Sequence, residues 1–389
     1  MDIEGQVDAG YEGVREAFAN NFSSHGDVGA AFCLYVQGRK VVDIWGGLAD
    51  AKAGRKWDED TLTLVYSTSK GVSAICAHLL AQRGQLDLDA AVSDYWPEFG
   101  QAGKAQIPVR WLLSHRAGLP VIDRHLTPEE ALAWDPAIDA LAAQAPIWEP
   151  GTKHGYHALT YGWLVGEVIR RATGRTVGEV LAEEVSRPLG LDLWIGLPEA
   201  EEERVCRLIP VEPVQYTPDQ VSALPPERLA MLKAMASPDS LAMRALNVTD
   251  PPFNFNSRAV HAGQLPAANA IGTARALAKL YAASIGEIDG IRLLEPATVK
   301  DATLEQATGP DQVLLQETRF GSGFFLPSPF SPLMGPRSFG HAGAGGSLAF
   351  ADPEREIGFA YVMNRMQQNL SGDPRTADLI AAARTATDG

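Results

Sequence analysis

The sequence predicts an α+β protein. A central antiparallel sheet, built from both chain ends and flanked by helices, receives a mostly helical domain as an insertion. Three observations predict this. Segments with strand character cluster near the termini, helix caps and 3.6-residue periodicity fill the middle, and a 46% hydrophobic share over 389 residues suffices for a large core. The expected boundaries are 1–85 together with 268–389 for the sheet domain, and 86–267 for the helical domain with its long loops.

The first helix is expected over 7–21 (VDAGYEGVREAFANN), with Val14, Ala17 and Phe18 on one side. AAFCLYV (30–36) and KVVDIWGG (40–47) read as two strands joined across Gln37-Gly38-Arg39. GVSAICAHLLAQRG places Val72, Ile75, Cys76, Leu79 and Leu80 at i, i+3, i+4, i+7 and i+8, the stripe of a buried helix that Gly84 ends. Thr127-Pro128-Glu129-Glu130 combines a cap, a first-turn proline and a capping-box glutamate; Asp135-Pro136 opens another helix, and Thr176 with Glu179 repeats the box. Residues 197–267 are proline-rich and weakly periodic, with two short helical stretches (PEAEEER and PPERLAMLKAMA), before GTARALAKLYAAS (272–284) restores a helix pattern. PRSFGHAG (336–343), SLAFAD (347–352) and IGFAYVMN (357–364) then read as strands, and a helix capped by Asp373-Pro374 closes the chain. There is no internal repeat.

A net charge of −15 sets a repulsive field against nucleic acid and anionic membranes, so neither is expected as a partner. No run of about 18 apolar residues is available to span a bilayer. The opening MDIEGQVDAG is acidic and lacks the apolar core of a secretory signal. Cys33, Cys76 and Cys206 are odd in number, widely spaced and free of any CxxC, which reads as buried thiols in a reducing compartment; the cytoplasm is the expected location. The sequence carries no signal for self-association.

The chemistry starts at VYSTSK (65–70). Ser67 and Lys70 stand three apart at the start of the buried helix, on one face and one turn from each other. With 19 serines and nine lysines, chance alone gives roughly 0.4 such SxxK spacings, so the spacing also fits a capping serine followed by a solvated lysine. Placement adds to it. A lysine beside an apolar stripe is desolvated and can assist a base, and a serine at a helix N-terminus has its own amide free for an oxyanion. A proton relay and a second oxyanion donor are still required. Tyr156, after the Pro-Gly turn of PGTKHGYHALTYGWLVGEVIRRATG (150–174), and His341-Ala342-Gly343 in SFGHAGAGGSLAF (338–350) are candidates; each also reads as ordinary packing or a glycine-rich turn.

In this order the three segments resemble the serine β-lactamase-like, or penicillin-binding-protein-like, fold, which includes D-alanyl peptidases and family VIII carboxylesterases. Ser67-Thr68-Ser69-Lys70 resembles its SxxK, Tyr156-His157-Ala158 its YxN and His341-Ala342-Gly343 its KTG. LDLDAAVSDYWPEF, VRWLLSHRAGLP (109–120) and EPGTKHGYHALTYGWLVGEVI match too, and the resemblance runs from about 28 to 365. It departs where Ala158 replaces the asparagine and where His341 and Ala342 replace the lysine and hydroxyl. Losing an amide, an ammonium and a hydroxyl leaves a surface better suited to neutral esters than to anionic β-lactams or peptide carboxylates.

The resemblance implies a carboxylesterase for short to medium acyl chains with its active site at the domain interface. Ser67 Oγ attacks the ester carbonyl. Tyr156, as phenolate or through a shared proton, accepts the serine hydrogen, and the charge of Lys70 poises that network. The backbone N–H groups of Ser67 and Ala344 form the oxyanion hole, where one donor is worth on the order of 3 kcal/mol. His341, Ala342 and Gly343 bind substrate, His341 orienting the tyrosine or lining the pocket. Positive charge is expected to lower the phenol, with activity climbing toward mildly alkaline pH.

Other readings are a β-lactamase or D-amino-acid peptidase or amidase of the same fold, weak β-lactamase activity beside the esterase, and a non-catalytic binding scaffold. No GxSxG elbow is present for an α/β-hydrolase. Ser93-Asp94-Tyr95 mimics an SDN motif but follows Ser67 too soon, and reads as surface. His154 and His157 lack a third metal ligand in the sequence, and no Walker loop or GxGxxG occurs, so no metal or cofactor is expected. FNFN (253–256) and GSGFFLPSPFSPLMG (321–335) suit a pocket wall or plain packing equally.

Overall fold

A computed structural model describes residues 2–212 and 217–388. Its early part contributes β1 (Ile3–Val7), α1 (Glu12–Ser24), β2 (Gly29–Val36) and β3 (Arg39–Asp50), followed by α2 (Thr68–Gln82). The middle contributes α3 (Thr160–Thr173) and α4 (Ala274–Ile285), and the end β4 (Phe339–Ala342), β5 (Leu348–Asp352), β6 (Ile357–Met363) and α5 (Pro374–Asp388). The main sheet runs β1-β3-β2-β6-β5-β4, every neighbouring pair antiparallel, with a seventh, two-residue strand Arg55–Lys56 on β3. The two ends of the chain meet where β2 pairs β6, Cys33 opposite Ala360.

Both faces of this sheet are covered, which explains why its central strands read as nearly continuous apolar runs. Phe32 and Leu34 of β2 point toward α1 and α5, packing with Val14, Phe18 and Leu379, while Cys33 and Tyr35 point toward the core under α4. The helix α2 lies deeper still. Every residue from Thr68 to Leu80 is buried, because α2 is wedged between β4 and β5 on one side and α3 on the other. A smaller three-stranded sheet, in the order Thr63–Leu64, Ala270–Gly272, Leu193–Ile195, ties the segment before Ser67 to the inserted region.

Two elements differ from expectation. The first helix begins at Glu12, and residues 3–7 form an edge strand along the long β3. IEGQV has three exposed and two half-buried positions, so its pairing comes from the partner and leaves no periodic apolar signal. The capping boxes are present: Thr127 accepts the Glu130 amide at 3.2 Å while its own amide reaches Glu130, and Thr176 does the same with Glu179. The proline-rich stretch holds a 3₁₀ turn at Glu199–Arg204 and a helix at Pro226–Met235; its residues 213–216 lie outside the described residues.

Candidate active site

Tyr66, just before the serine, takes φ +44°, a left-handed kink that turns the chain from the small sheet into α2. Ser69 holds this corner: its hydroxyl donates to Tyr66 O and accepts the Ala270 amide at 2.8 Å. Thr68 and Ser347 hydroxyls meet at 3.2 Å, and Ser347 donates to Val65 O, fastening the corner to the turn after β4. One helical turn then brings Lys70 Nζ to Ser67 Oγ at 3.0 Å. The same nitrogen donates to Ala158 O at 2.7 Å and Ala267 O at 3.0 Å.

Lys70 has no solvent exposure, and its hydrogen-bond partners are a hydroxyl and two carbonyls, with no carboxylate. Burial therefore pushes its amine well below the usual lysine range. A neutral amine fits this shell: two N–H groups serve the two carbonyls, and the lone pair is left for the serine proton. The Tyr156 hydroxyl interacts with Ser67, and its ring centre is 4.8 Å from Lys70 Nζ. Its phenol moves in the direction opposite to expectation. Burial raises it above its ordinary value, and the Ser67 interaction offsets only part of that.

Tyr156 is held by a group that sequence reasoning missed. Its amide donates to Asp311 Oδ1 at 3.0 Å, and the same oxygen takes the amides of Val313 and Leu314, each at 2.8 Å. Gly309-Pro310-Asp311 is a legible turn signal, but nothing in it reveals that it reaches back 155 residues. His115, with φ +61°, accepts the His157 amide at 3.1 Å and sets its ring 4.9 Å from that of Tyr156. It stands in the VRWLLSHRAGLP phrase, where only its position in the match marked it.

His341 is 1% exposed and packs its ring against Phe325 (4.4 Å between centres) and Tyr156 (6.0 Å). Its Nδ1–H donates to Ala342 O at 2.7 Å, and Nε2 has no partner among the described residues. Burial pushes the ring well below its usual value, so it is neutral. Gly71 makes room here: a Cβ on it would meet Tyr281 Oη at 2.0 Å and lie 3.5 Å from His341 Cβ.

Ser67, Tyr156 and Ala344 border a cavity of about 110 Å³. The amides of Ser67 and Ala344 donate to no acceptor among the described residues, which leaves both for a ligand oxygen. Phe255 from FNFN and Phe325 and Phe330 from the 321–335 loop form walls, with Leu246, Leu314 and Leu370. Among the described residues no lysine, arginine, aspartate, glutamate or histidine borders the cavity, and Lys70 lies behind its lining residues Ser67, Tyr156 and Ala158. Ala342 and Gly343 lie outside the lining and border instead a space of about 10 Å³, room for one water at most.

The other candidates go elsewhere. His154 Nε2 bonds Thr318 Oγ1 at 2.8 Å. His157 donates from Nδ1 to Gly155 O and accepts the Leu119 amide on Nε2; burial pushes its pKa to about 3, and the Gly155 bond offsets only part of that. Both ring nitrogens of His157 are thereby engaged. Ser93 caps Ala105 O at 2.9 Å and Tyr95 takes the Asp87 amide, a local surface turn.

The Beta-lactamase family profile matches residues 14–384. The chain is 36% identical over 378 residues to the Esterase/beta-lactamase LipL of Mycobacterium tuberculosis, covering 95% of this chain and 84% of that protein. Among solved structures it is similar to a family VIII carboxylesterase, with 38% identity, a TM-score of 0.87, and coverage of 99% of this chain and 100% of the other. A penicillin-binding protein homolog from Caulobacter crescentus superposes with a TM-score of 0.86 at 40% identity, over 99% and 100% of the two chains.

Proposed function

This chain belongs to the beta-lactamase family, within the esterase and beta-lactamase-fold serine hydrolases, and from that premise we propose that it is a carboxylesterase acting through an acyl-enzyme on Ser67. The observation that carries the reading is the pair of contacts at Ser67, with Lys70 and Tyr156, under a cavity bordered by no charged side chain among the described residues. Its substrates are neutral esters of short to medium apolar acids. An anionic β-lactam or peptide carboxylate would lose its hydration there without gaining a cation.

Ser67 gives its proton to the lone pair of neutral Lys70 as Oγ bonds to the ester carbonyl carbon. The carbonyl electron pair moves onto oxygen, which the amides of Ser67 and Ala344 receive. Collapse breaks the bond to the alcohol oxygen, which takes the Tyr156 proton, and the Lys70 ammonium restores it. Water then replaces the alcohol: its oxygen bonds to the acyl carbon as it yields a proton to the Tyr156–Lys70 pair, collapse breaks the acyl–Oγ bond, Ser67 Oγ takes that proton back, and the acid leaves. His341, neutral and packed on Tyr156, fixes the ring; Ala342 and Gly343 act by shaping the strand, with Gly343 held to Ser347 O at 2.7 Å. The proposed division at 85/86 and 267/268 places this site on the seam between sheet and inserted helices. Three cysteines, all buried and free, support a reducing compartment such as the cytoplasm.

Hydrolysis of p-nitrophenyl butyrate, compared between the wild type and Ser67→Ala and run beside a chromogenic cephalosporin, tests this. Ester turnover that vanishes in the variant and exceeds cephalosporin turnover is expected. Cephalosporin turnover without ester turnover overturns the substrate class, and turnover retained in Ser67→Ala overturns the nucleophile. The relative named for both activities makes the cephalosporin arm the informative comparison.

A further inference from the structure

The loop that carries Ala344 is soft by composition. Gly343 precedes it, and Gly345 and Gly346 follow at φ +88° and +129°, conformations glycine enters readily and leaves as readily. An amide that must receive a developing negative charge is useful only if it stays aimed. The loop is nevertheless pinned. Gly345 N donates to Asn369 O at 3.1 Å, and Gly345 O accepts from Gln367 N at 3.0 Å and from Arg375 Nη2 at 2.5 Å.

Arg375 lies in the first turn of α5 and has no solvent exposure. Each of its five N–H groups is used. Nε donates to Asp373 Oδ1 at 2.9 Å; Nη1 to Asp27 Oδ1 at 2.7 Å and Arg365 O at 2.9 Å; Nη2 to Asp373 Oδ2 at 2.7 Å and to Gly345 O. The carboxylates are fixed in turn, Asp27 by the Tyr361 hydroxyl at 2.5 Å and Asp373 by Asn369 Nδ2 at 2.7 Å. Gly346 lies close against the guanidinium: a Cβ there would come within 2.2 Å of Arg375 Nη2 and 2.6 Å of Asp373 Oδ2. Leu370, next to Asn369, borders the cavity, so the same hub supports one cavity wall.

We infer that Arg375, clamped by Asp27 and Asp373, is a positioning residue for the oxyanion-binding loop, holding the Ala344 amide on target through Gly345 and Gly346. This rests on the reading of Ser67 and Ala344 given above. A buried arginine could be merely structural, but here one fork arm ends on the carbonyl of the residue after the proposed donor. A lysine, with a single point of charge, cannot hold both carboxylates and that carbonyl at once. Displacing such a donor by a fraction of its bond length loses transition-state binding and leaves substrate binding nearly unchanged.

The test is the rate of covalent labelling of Ser67 by a fluorophosphonate, read together with kcat and KM for p-nitrophenyl butyrate, at a temperature where each variant is fully folded. Arg375→Lys is expected to slow labelling and kcat by about tenfold or more with KM within about twofold. Leu379→Ala, a core truncation on the same helix, is expected to lower Tm with labelling unchanged. Should Arg375→Lys fail to fold, Asn369→Ala, which removes only the outer strut on Asp373, is expected to slow labelling about threefold with KM unchanged. Wild-type labelling rates in folded Arg375→Lys, or in Asn369→Ala where the former does not fold, overturn the inference. So does an equal loss in Leu379→Ala. Absence of Ser67 labelling in the wild type overturns the underlying site instead, and so separates the two.

Discussion

Lys70 and Arg375 are both basic side chains with no solvent exposure, and their surroundings are opposites. Lys70 meets a hydroxyl and two carbonyls. Arg375 meets two carboxylates and two carbonyls. Burial without a counter-charge drives a lysine toward its neutral form, which makes it a base; burial with two carboxylates keeps a guanidinium charged, which makes it a fixture. The contrast extends to the neighbours. His115, His157 and His341 around the nucleophile are all pushed down by burial, so the site side holds basic groups kept uncharged. The far side holds a satisfied ionic hub. Chemistry needs the first arrangement, and aim needs the second.

The largest expected effect breaks the base. Lys70→Met removes the proton acceptor and should lower kcat for p-nitrophenyl butyrate about a thousandfold or more, with the protein still folded by circular dichroism. Retained turnover would show that the charge-free lysine is only packing. Next comes the relay: Tyr156→Phe should cost on the order of a hundredfold or more in kcat. Tyr161→Phe, whose hydroxyl donates to Lys70 O at 3.3 Å one helix away, should stay within about twofold. Equal losses in both would assign the effect to the aromatic packing around Lys70.

On the other side of the contrast, Asp27→Asn should act on stability more than on turnover. It leaves Arg375 short of one of two carboxylates in a buried setting and should cost about 3 kcal/mol in urea unfolding. An unchanged midpoint would mean that the hub is not a clamp.

The smallest effect concerns the uncharged histidines. His157 is neutral when folded, with its pKa pushed to about 3, and ordinary when unfolded, near 6.5. Below 6.5 the unfolded chain therefore binds the extra proton, and stability falls as pH drops toward 3. At pH 5 this single group accounts for about 2 kcal/mol, and His157→Gln should flatten the acid side of the Tm profile. A profile equally steep in the variant would assign acid sensitivity elsewhere.

How much of this was legible follows from distance along the chain. Ser67 and Lys70 are one turn apart, so local spacing places them, and the apolar stripe of α2 correctly foretold a buried lysine. The strands β2 and β6 were visible because both of their faces are covered. The edge strand β1 was not, because IEGQV earns its place only by pairing with β3. Phe255, Phe325 and Phe330 were visible as aromatic loops without a stated destination. Asp311 and Arg375 were not legible as site residues: one reaches Tyr156 across 155 residues and the other reaches Asp27 across 348, and no local pattern reveals either reach. The direction of the Tyr156 shift was misread because charge was counted and burial was not.

The most direct test of the neutral-lysine account is the pH dependence of kcat/KM for p-nitrophenyl butyrate from pH 5 to 10 in the wild type. The account predicts a single ionisation limb whose midpoint falls well under the ordinary lysine value of about 10.4, followed by a level stretch through about pH 9. A rate still climbing tenfold per pH unit between 8 and 10 would contradict it, placing a charged Lys70 and an ionising Tyr156 at the centre instead.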